Sequence, residues 1–389
     1  MFRIKTINAI SPQGLARFDA ERFVVGPDLP DPDALVLRSA RIHDQELPAS
    51  LKAVGRAGAG VNNIPVGELS RRGIPVFNAP GANANAVKEL VMAGLFIAAR
   101  NLGDAWLFAR GLQGTDAQIR EAVEGGKKAF AGVELPGRTL GVVGLGAVGR
   151  MVANAGVALG MRVVGFDPEL TVEGAWQLSA AVGKAASLDE LVRAADFLTL
   201  HVPLVESTRK LMDAGRLSLM PPAASLLNFA REEIVDAGAV VAALNSGRLH
   251  AYVCDFPLSI LRDHPRVVAL PHLGASTREA EDNSACMVID EIKDFLLNGN
   301  ICHAVNFPDV TMGHEGPCRL AIANANVPNM VGQISTAMAA AGLNIRNLVN
   351  KARGEYAYTL VDLDSLVPDA VLARIAAIPG VLSARRIEG

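Results

Sequence analysis

Residues 139–167 read TLGVVGLGAVGRMVANAGVALGMRVVGFD, and the architecture of the chain turns on this stretch. The apolar run 140–143 predicts a buried strand that passes directly into Gly144, Gly146 and Gly149, which open a helix rich in Ala and Val. In such a turn the first glycine allows the tight bend, the second lets a pyrophosphate approach bare backbone, and the third lets helix and strand pack closely. Phosphates then face the helix N-terminus, which makes Gly144, Gly146, Ala147, Val148 and Gly149 candidate cofactor contacts. A second strand, 161–166, ends at Asp167, eighteen residues beyond Gly149. A carboxylate there accepts hydrogen bonds from the adenosine ribose hydroxyls and repels a 2′-phosphate, so the expected cofactor is NAD rather than NADP.

A chain of 389 residues accommodates two or three domains with substantial cores. Although 50% of the residues are hydrophobic, no apolar run of about 18 residues lacks a charge, so no membrane span is expected. The opening MFRIKTINAISPQG lacks the long apolar core of a secretory signal, which points to the cytoplasm. A net charge of −3 with scattered basic residues gives no nucleic-acid footprint. The cysteines, Cys254, Cys286, Cys302 and Cys318, show no metal-type pairing and read as reduced thiols, so no metal is expected.

Before the glycine turn, strands are predicted at 34–37, 51–54 and 74–77, alternating with helical pattern as in a parallel α/β unit. Two loops stand out, Arg38-Ser39-Ala40 and the glycine-rich 55–63 with Arg56, Ala59 and Gly60. A guanidinium beside bare N–H groups suits a small anion, phosphate or carboxylate. A third loop, 78–83, ends at Asn83 and precedes an apolar helix over 85–100, while 111–138 reads as charged surface. After the turn, strands recur at 196–200, 224–229, 251–256 and 266–270, followed by His201-Val202-Pro203, Ala230-Arg231, Asp255 and Pro271-His272. Ligands of an open parallel sheet bind at its carboxyl ends, so these residues are expected to share one crevice. His201, Val202, Pro203, Phe229, Ala230, Asp255, Gly274 and Ala275 are then its cofactor lining. A helix over 275–298 leads to a strand-like run at 300–308 and a Gly/Pro linker at 309–318. The last 71 residues pattern as βαββαβ, a ferredoxin-like unit without a catalytic cluster. The expected fold class is thus α/β, with two Rossmann-like parallel-sheet domains followed by that unit.

Hydride transfer to a nicotinamide requires a group for the substrate acid, a hold on its C2 oxygen and a proton carrier. Arg231 offers the fork of donors for the first two, and His272, between a proline and the small-residue turn Leu273-Gly274-Ala275-Ser276, the third.

The segments VGRAGAGVNNI (54–64), IPVFNAP (74–80), GVVGLGAVGR (141–150), NFAREEIVD (228–236) and LPHLGAST (270–277) resemble the D-2-hydroxyacid dehydrogenase family, most closely its D-3-phosphoglycerate dehydrogenase branch. The resemblance implies a discontinuous substrate-binding domain (1–95 and 280–310), an NAD domain (96–279) and an ACT regulatory domain (319–389). It implies NAD-dependent oxidation of 3-phosphoglycerate to 3-phosphooxypyruvate at the head of serine biosynthesis. Arg231 would bind the acid and polarise C2–O, His272 would be the acid/base, and the backbone of Ala59 and Gly60 would hold the carboxylate. Arg38, Ser39, Arg56 and Asn83 would face the phosphate, and Asp255 the nicotinamide carboxamide. The glutamate that usually partners the histidine is absent from 255–261, which leaves Asp255 or Asp263 as the nearest substitutes. By the same resemblance Asn326 and Asn344 would hold an L-serine effector between subunits of a dimer or tetramer, with Asn329 in place of a glycine that takes positive φ. Competing readings are a glyoxylate or hydroxypyruvate reductase and a non-catalytic NAD-sensing protein.

Overall fold

The computed structural model describes residues 1–43 and 46–388; Gly389, the last residue of the expected C-terminal domain, lies outside them. The chain forms two compact units, Met1–Asn83 with Arg278–Gly389, and Ala84–Thr277.

In the first unit β1 (Phe2–Ile7), β2 (Phe23–Gly26), β3 (Ala34–Leu37), β4 (Ala53–Arg56) and β5 (Val76–Asn78) form a parallel sheet in the order β2-β1-β3-β4-β5. β3 is buried along its whole length, as expected of a central parallel strand covered on both faces. The helix Arg278–Asn298 packs on β4 so closely that a Cβ at Gly55 would overlap the Ile292 side chain. The expected strand over 300–308 does not form. His303 at φ 56° and Gly299 at φ 75° turn the chain out of extension, leaving isolated bridges from Ala304 to Phe77 and from Ile301 to Val310.

The second unit holds β6 (Thr139–Val143), β7 (Arg162–Phe166), β8 (Gly183–Lys184), β9 (Phe197–Leu200), β10 (Ala224–Asn228), β11 (Leu249–Cys254) and β12 (Val267–Ala269). They form one parallel sheet, ordered β12-β11-β10-β9-β6-β7-β8. The direction of winding reverses between β6 and β9, the switch point at which doubly wound sheets take their ligands. The register is level: Phe166, Val143, Leu200, Asn228, Cys254 and Ala269 pair in one row across six strands. The candidates Gly144, Asp167, His201, Phe229 and Asp255 each lie one residue past this row.

The C-terminal strands β13 (Cys318–Ala325), β14 (Ile345–Arg353), β15 (Tyr356–Leu363) and β16 (Val381–Glu388) are antiparallel in the order β14-β15-β13-β16, a ferredoxin-like sheet. Side chains alternate between its faces. Cys318, Leu320, Ile322, Val361 and Leu363 pack under the helices Met330–Ala339 and Asp369–Ala376. Ala321, Ala323, Tyr358 and Leu360 instead join Phe77, Phe295 and Phe307 in the core of the first unit. The 309–318 segment is therefore no free linker. Arg319, fully buried, chelates Asp362 at 2.6 and 2.9 Å and donates to the carbonyls of Asn298, Met312 and Gly313. Burial opposes ionisation of Asp362, but the bonds from Arg319 and from the Glu315 amide outweigh it and hold the carboxyl below its usual range.

Candidate functional site

The glycine turn has the shape that a pyrophosphate needs. Gly144 takes φ 86°, and a Cβ on it would come within 2.7 Å of the His201 carbonyl. A Cβ on Gly149 would overlap the Gly144 carbonyl, whereas one on Gly146 would meet nothing within 4 Å. The middle glycine thus opens a cradle at the N-cap of the helix Ala147–Ala158, whose first-turn amides have no intrahelical partner. Arg150 adds a feature that the sequence reading missed. It donates to the Leu145 carbonyl, yet its buried Nε has no partner among the described residues. Asp167 is locked by the amides of Leu145 (2.8 Å) and Glu169 (2.9 Å) and borders a cavity of about 570 Å³ with Leu145, Gly165 and Trp176, on the side where the glycine-turn motif expects the adenosine end. These residues fit NAD.

His201 serves the turn from beneath. Its ring bonds Thr199 Oγ1 at 2.9 Å, and loss of hydration pushes its pKa down to about 3, so it is neutral. Val202 packs against the Gly144 position, while Phe229 is buried against Gly94 of the helix Ala84–Arg100. For these two residues and for Ala230, Pro203 and Ala275, the sheet brings backbone to the row; the Phe229 ring itself belongs to the core.

Arg231 and His272 are both exposed at the tips of β10 and β12, two strands and so about 10 Å of backbone apart. Asn228 steadies the first tip: its Nδ2 donates to the Arg231 carbonyl at 2.8 Å and its Oδ1 accepts from the Ala230 amide at 3.1 Å. Arg231 itself donates to the Ala230 carbonyl at 2.6 Å. His272 sits at φ 57°, its amide on the Asp255 carbonyl at 3.1 Å and its ring edge-on to Phe256 at 5.3 Å. The carboxylate of Asp255, 1% exposed, accepts from the amides of Leu273 (2.7 Å) and Gly274 (2.8 Å). Asp255 therefore grips the backbone that follows the histidine rather than its ring. Asp263 precedes β12 and pairs with Arg262 at 3.2 Å, at the amino edge of the sheet and away from the tips. Neither acid replaces the missing glutamate as a partner of the imidazole.

On the first unit, the loops at the carboxyl ends of β3, β4 and β5 carry the other candidates. Arg38 is ion-paired with Glu281 at 2.6 Å. Arg56 donates from Nε to the Arg38 carbonyl at 2.9 Å and from its fork to the Gly60 carbonyl, bracing the two loops. Asn63 ties down the Arg38 and Ala40 carbonyls, and Asn78 that of Ala59. The amides of Ala59 and Gly60 have no partner among the described residues. Ser39 and Asn83 lie in these loops, half-buried or exposed. Asn326 donates to the Gly354 carbonyl and Asn344 to Asp364, at opposite ends of the C-terminal sheet, about 25 Å apart. Asn329 takes φ 63° at the N-cap of the helix Met330–Ala339.

Fold and row together define an NAD-binding protein of the doubly wound kind. Residues 102–274 match the family described as D-isomer specific 2-hydroxyacid dehydrogenase, NAD binding domain. A D-3-phosphoglycerate dehydrogenase of Haemophilus influenzae is 32% identical over 352 residues, 87% of this chain and 82% of that protein. One of Synechocystis sp. is 37% identical over 292 residues, 73% of this chain but 50% of its own length, so the chain spans about half of that relative. The fold also superposes on a solved NAD+-bound 3-phosphoglycerate dehydrogenase of Entamoeba histolytica, with a TM-score of 0.61 at 23% identity over 78% of this chain and 98% of that one. The chain belongs to the D-2-hydroxyacid dehydrogenase family.

Proposed function

We propose that the chain oxidises the C2 hydroxyl of 3-phospho-D-glycerate to 3-phosphooxypyruvate. The observation that carries this reading is the level row: a pyrophosphate cradle at β6 and, on the same edge, a guanidinium with no acidic partner among the described residues and an imidazole at β10 and β12. NAD, when bound, supplies the hydride acceptor. Arg231 spans the substrate acid and the C2 oxygen, drawing electron density from C2–O, while His272 takes the hydroxyl proton as the hydride leaves C2. The free Ala59 and Gly60 amides suit the carboxylate, and Arg38, Ser39, Arg56 and Asn83 are assigned to the phosphate end. The matched relatives bear the name of this activity. One observation favours a second reading, a reductase of glyoxylate or hydroxypyruvate: Glu281 already neutralises Arg38, so that cation needs no phosphate.

NADH formation from 3-phosphoglycerate, set against lactate and against NADH consumption with glyoxylate and hydroxypyruvate, tests this. Preference for the phosphorylated acid, reduced in Arg38→Ala, is expected. Dominant glyoxylate or hydroxypyruvate turnover, indifferent to Arg38→Ala, establishes the reductase; NAD binding with no turnover on any of the four leaves an NAD-sensing protein.

The chain is further assigned to a homo-oligomer. No residue of the helix Leu102–Gly111 is buried, and Leu102, Trp106 and Leu107 lie exposed on it. The edge strand β14 supports an ACT-type pairing: two such edges laid antiparallel bring the Asn344 end of one copy to the Asn326 end of the other, where L-serine would sit. Turnover with and without L-serine tests the effector. Free thiols at all four cysteines accord with a cytoplasmic setting, and no single helix among the described residues is long and apolar enough to cross a membrane.

A further inference from the structure

The amino ends of β3, β4 and β5 border a cavity of about 380 Å³ that β15 and β16 close from the other side. Three cations, Lys52, Arg72 and Arg385, line it against one acid, Asp33. An adjoining cavity of about 530 Å³ shares Lys52 and Arg385 and adds Arg22, Arg386 and Glu388. Most of these charges are matched. Lys52 meets Asp33 at 2.5 Å, Arg386 meets Asp369 and Glu388, and Arg72 lies 3.9 Å from Glu68 and bonds the Leu47 and Pro48 carbonyls.

Arg385 differs. Its guanidinium stacks 4.1 Å from the Phe295 ring centre and donates to the carbonyls of Phe295 and Leu296, but no carboxylate among the described residues lies within ion-pair distance. Burial lowers its pKa from the ordinary guanidinium value. Asp33, the one acid of the cavity, acts on Arg385 only at longer range and is already in contact with Lys52, so the desolvated guanidinium is under-compensated and an anion in the adjacent cavity relieves it.

We propose that this cavity binds a small, multiply charged oxyanion, a phosphate ester or a polycarboxylate, between the five-stranded and C-terminal sheets. It is distinct from the substrate loops, which leave the opposite, carboxyl ends of the same strands, about 13 Å along β3 and β4. An occupant ties β16 to the amino ends of strands whose other ends hold Arg38 and the 57–60 loop, so its effect is felt there without contact. The site stands independently of the hydride chemistry.

Calorimetric titration of the full chain with inorganic phosphate and, separately, citrate tests the site. Saturable binding of at least one probe is expected, with its preference identifying the ligand class. Lys52→Met should weaken binding by about tenfold, the loss of one charge-assisted bond. Ala49→Trp, which fills the mouth from an exposed turn without removing a charge, should abolish it, with the thermal midpoint unchanged. Binding of neither probe, binding indifferent to both variants, or binding lost only in Arg38→Ala overturns the proposal.

Discussion

The carboxyl ends of the two parallel sheets present the same chemistry, arginines beside bare amides, under opposite constraints. Beyond β10 and β12, Arg231 and His272 are exposed and, among the described residues, make only local contacts, with the Ala230 carbonyl, the Asp255 carbonyl and the Phe256 ring. Beyond β3 and β4, Arg38 is held by Glu281 and Arg56 braces one loop to another, and the open groups are the amides of Ala59 and Gly60. Side chains left open are available to react, while matched ones hold backbone donors in position. On the proposed function, catalysis and positioning thus fall to residues that look alike in sequence.

The most severe test of this contrast is His272→Gln or Arg231→Gln, expected to lower kcat/KM by about 10²–10⁴ with little change in Tm, because both side chains are exposed. A loss under tenfold would break the comparison. Asp255→Asn should come next. Replacing a carboxylate that two amides share leaves an N–H facing an N–H, so kcat is expected to fall about 100-fold through misplacement of His272, with about 1–3 kcal/mol lost in stability. An unchanged KM for NAD would mean that the carboxylate acts on the loop alone; a raised one adds contact with the carboxamide. His201 sharpens the picture through pH. Its folded pKa of about 3 lies below the unfolded value near 6.5, so below pH about 6.5 the unfolded chain binds the extra proton. Stability is therefore full above that pH and declines towards pH 3, and His201→Gln should flatten this decline in denaturant titrations. Glu281→Gln should shift the KM of the phosphorylated acid by no more than about fivefold, the scale of a half-exposed ion pair. Smallest of all, Asp263→Asn should leave the acidic limb of the pH–rate profile unmoved, since that acid lies at the far edge of the sheet.

Six strands of the larger sheet were legible because their signals are local, while the two-residue, exposed edge strand β8 gave none. Gly144 and Gly149 cannot carry a Cβ, and a histidine behind a proline at a strand end stands out from the apolar run before it. In the other unit β1 escaped notice, since Arg3 and Lys5 interrupt its apolar residues, and the 300–308 run misled because apolar content does not report the positive φ of His303. The partner of Arg38 could not be read either. Glu281 is 243 residues away, and pairing over such a separation depends on tertiary contact alone. The two-sided burial of β13 did leave a trace: apart from Arg319 and Asn324, CRLAIANA is apolar or small on both faces, unlike a sheet with one side in water.

That double-faced strand bears on how the protein can be shortened. A gene truncated after residue 310 would yield a chain whose Phe77, Phe295 and Phe307 meet solvent where Tyr358 and Leu360 now cover them. The tail is thus part of the wall of its neighbour, and its removal would yield an insoluble product rather than an unregulated enzyme.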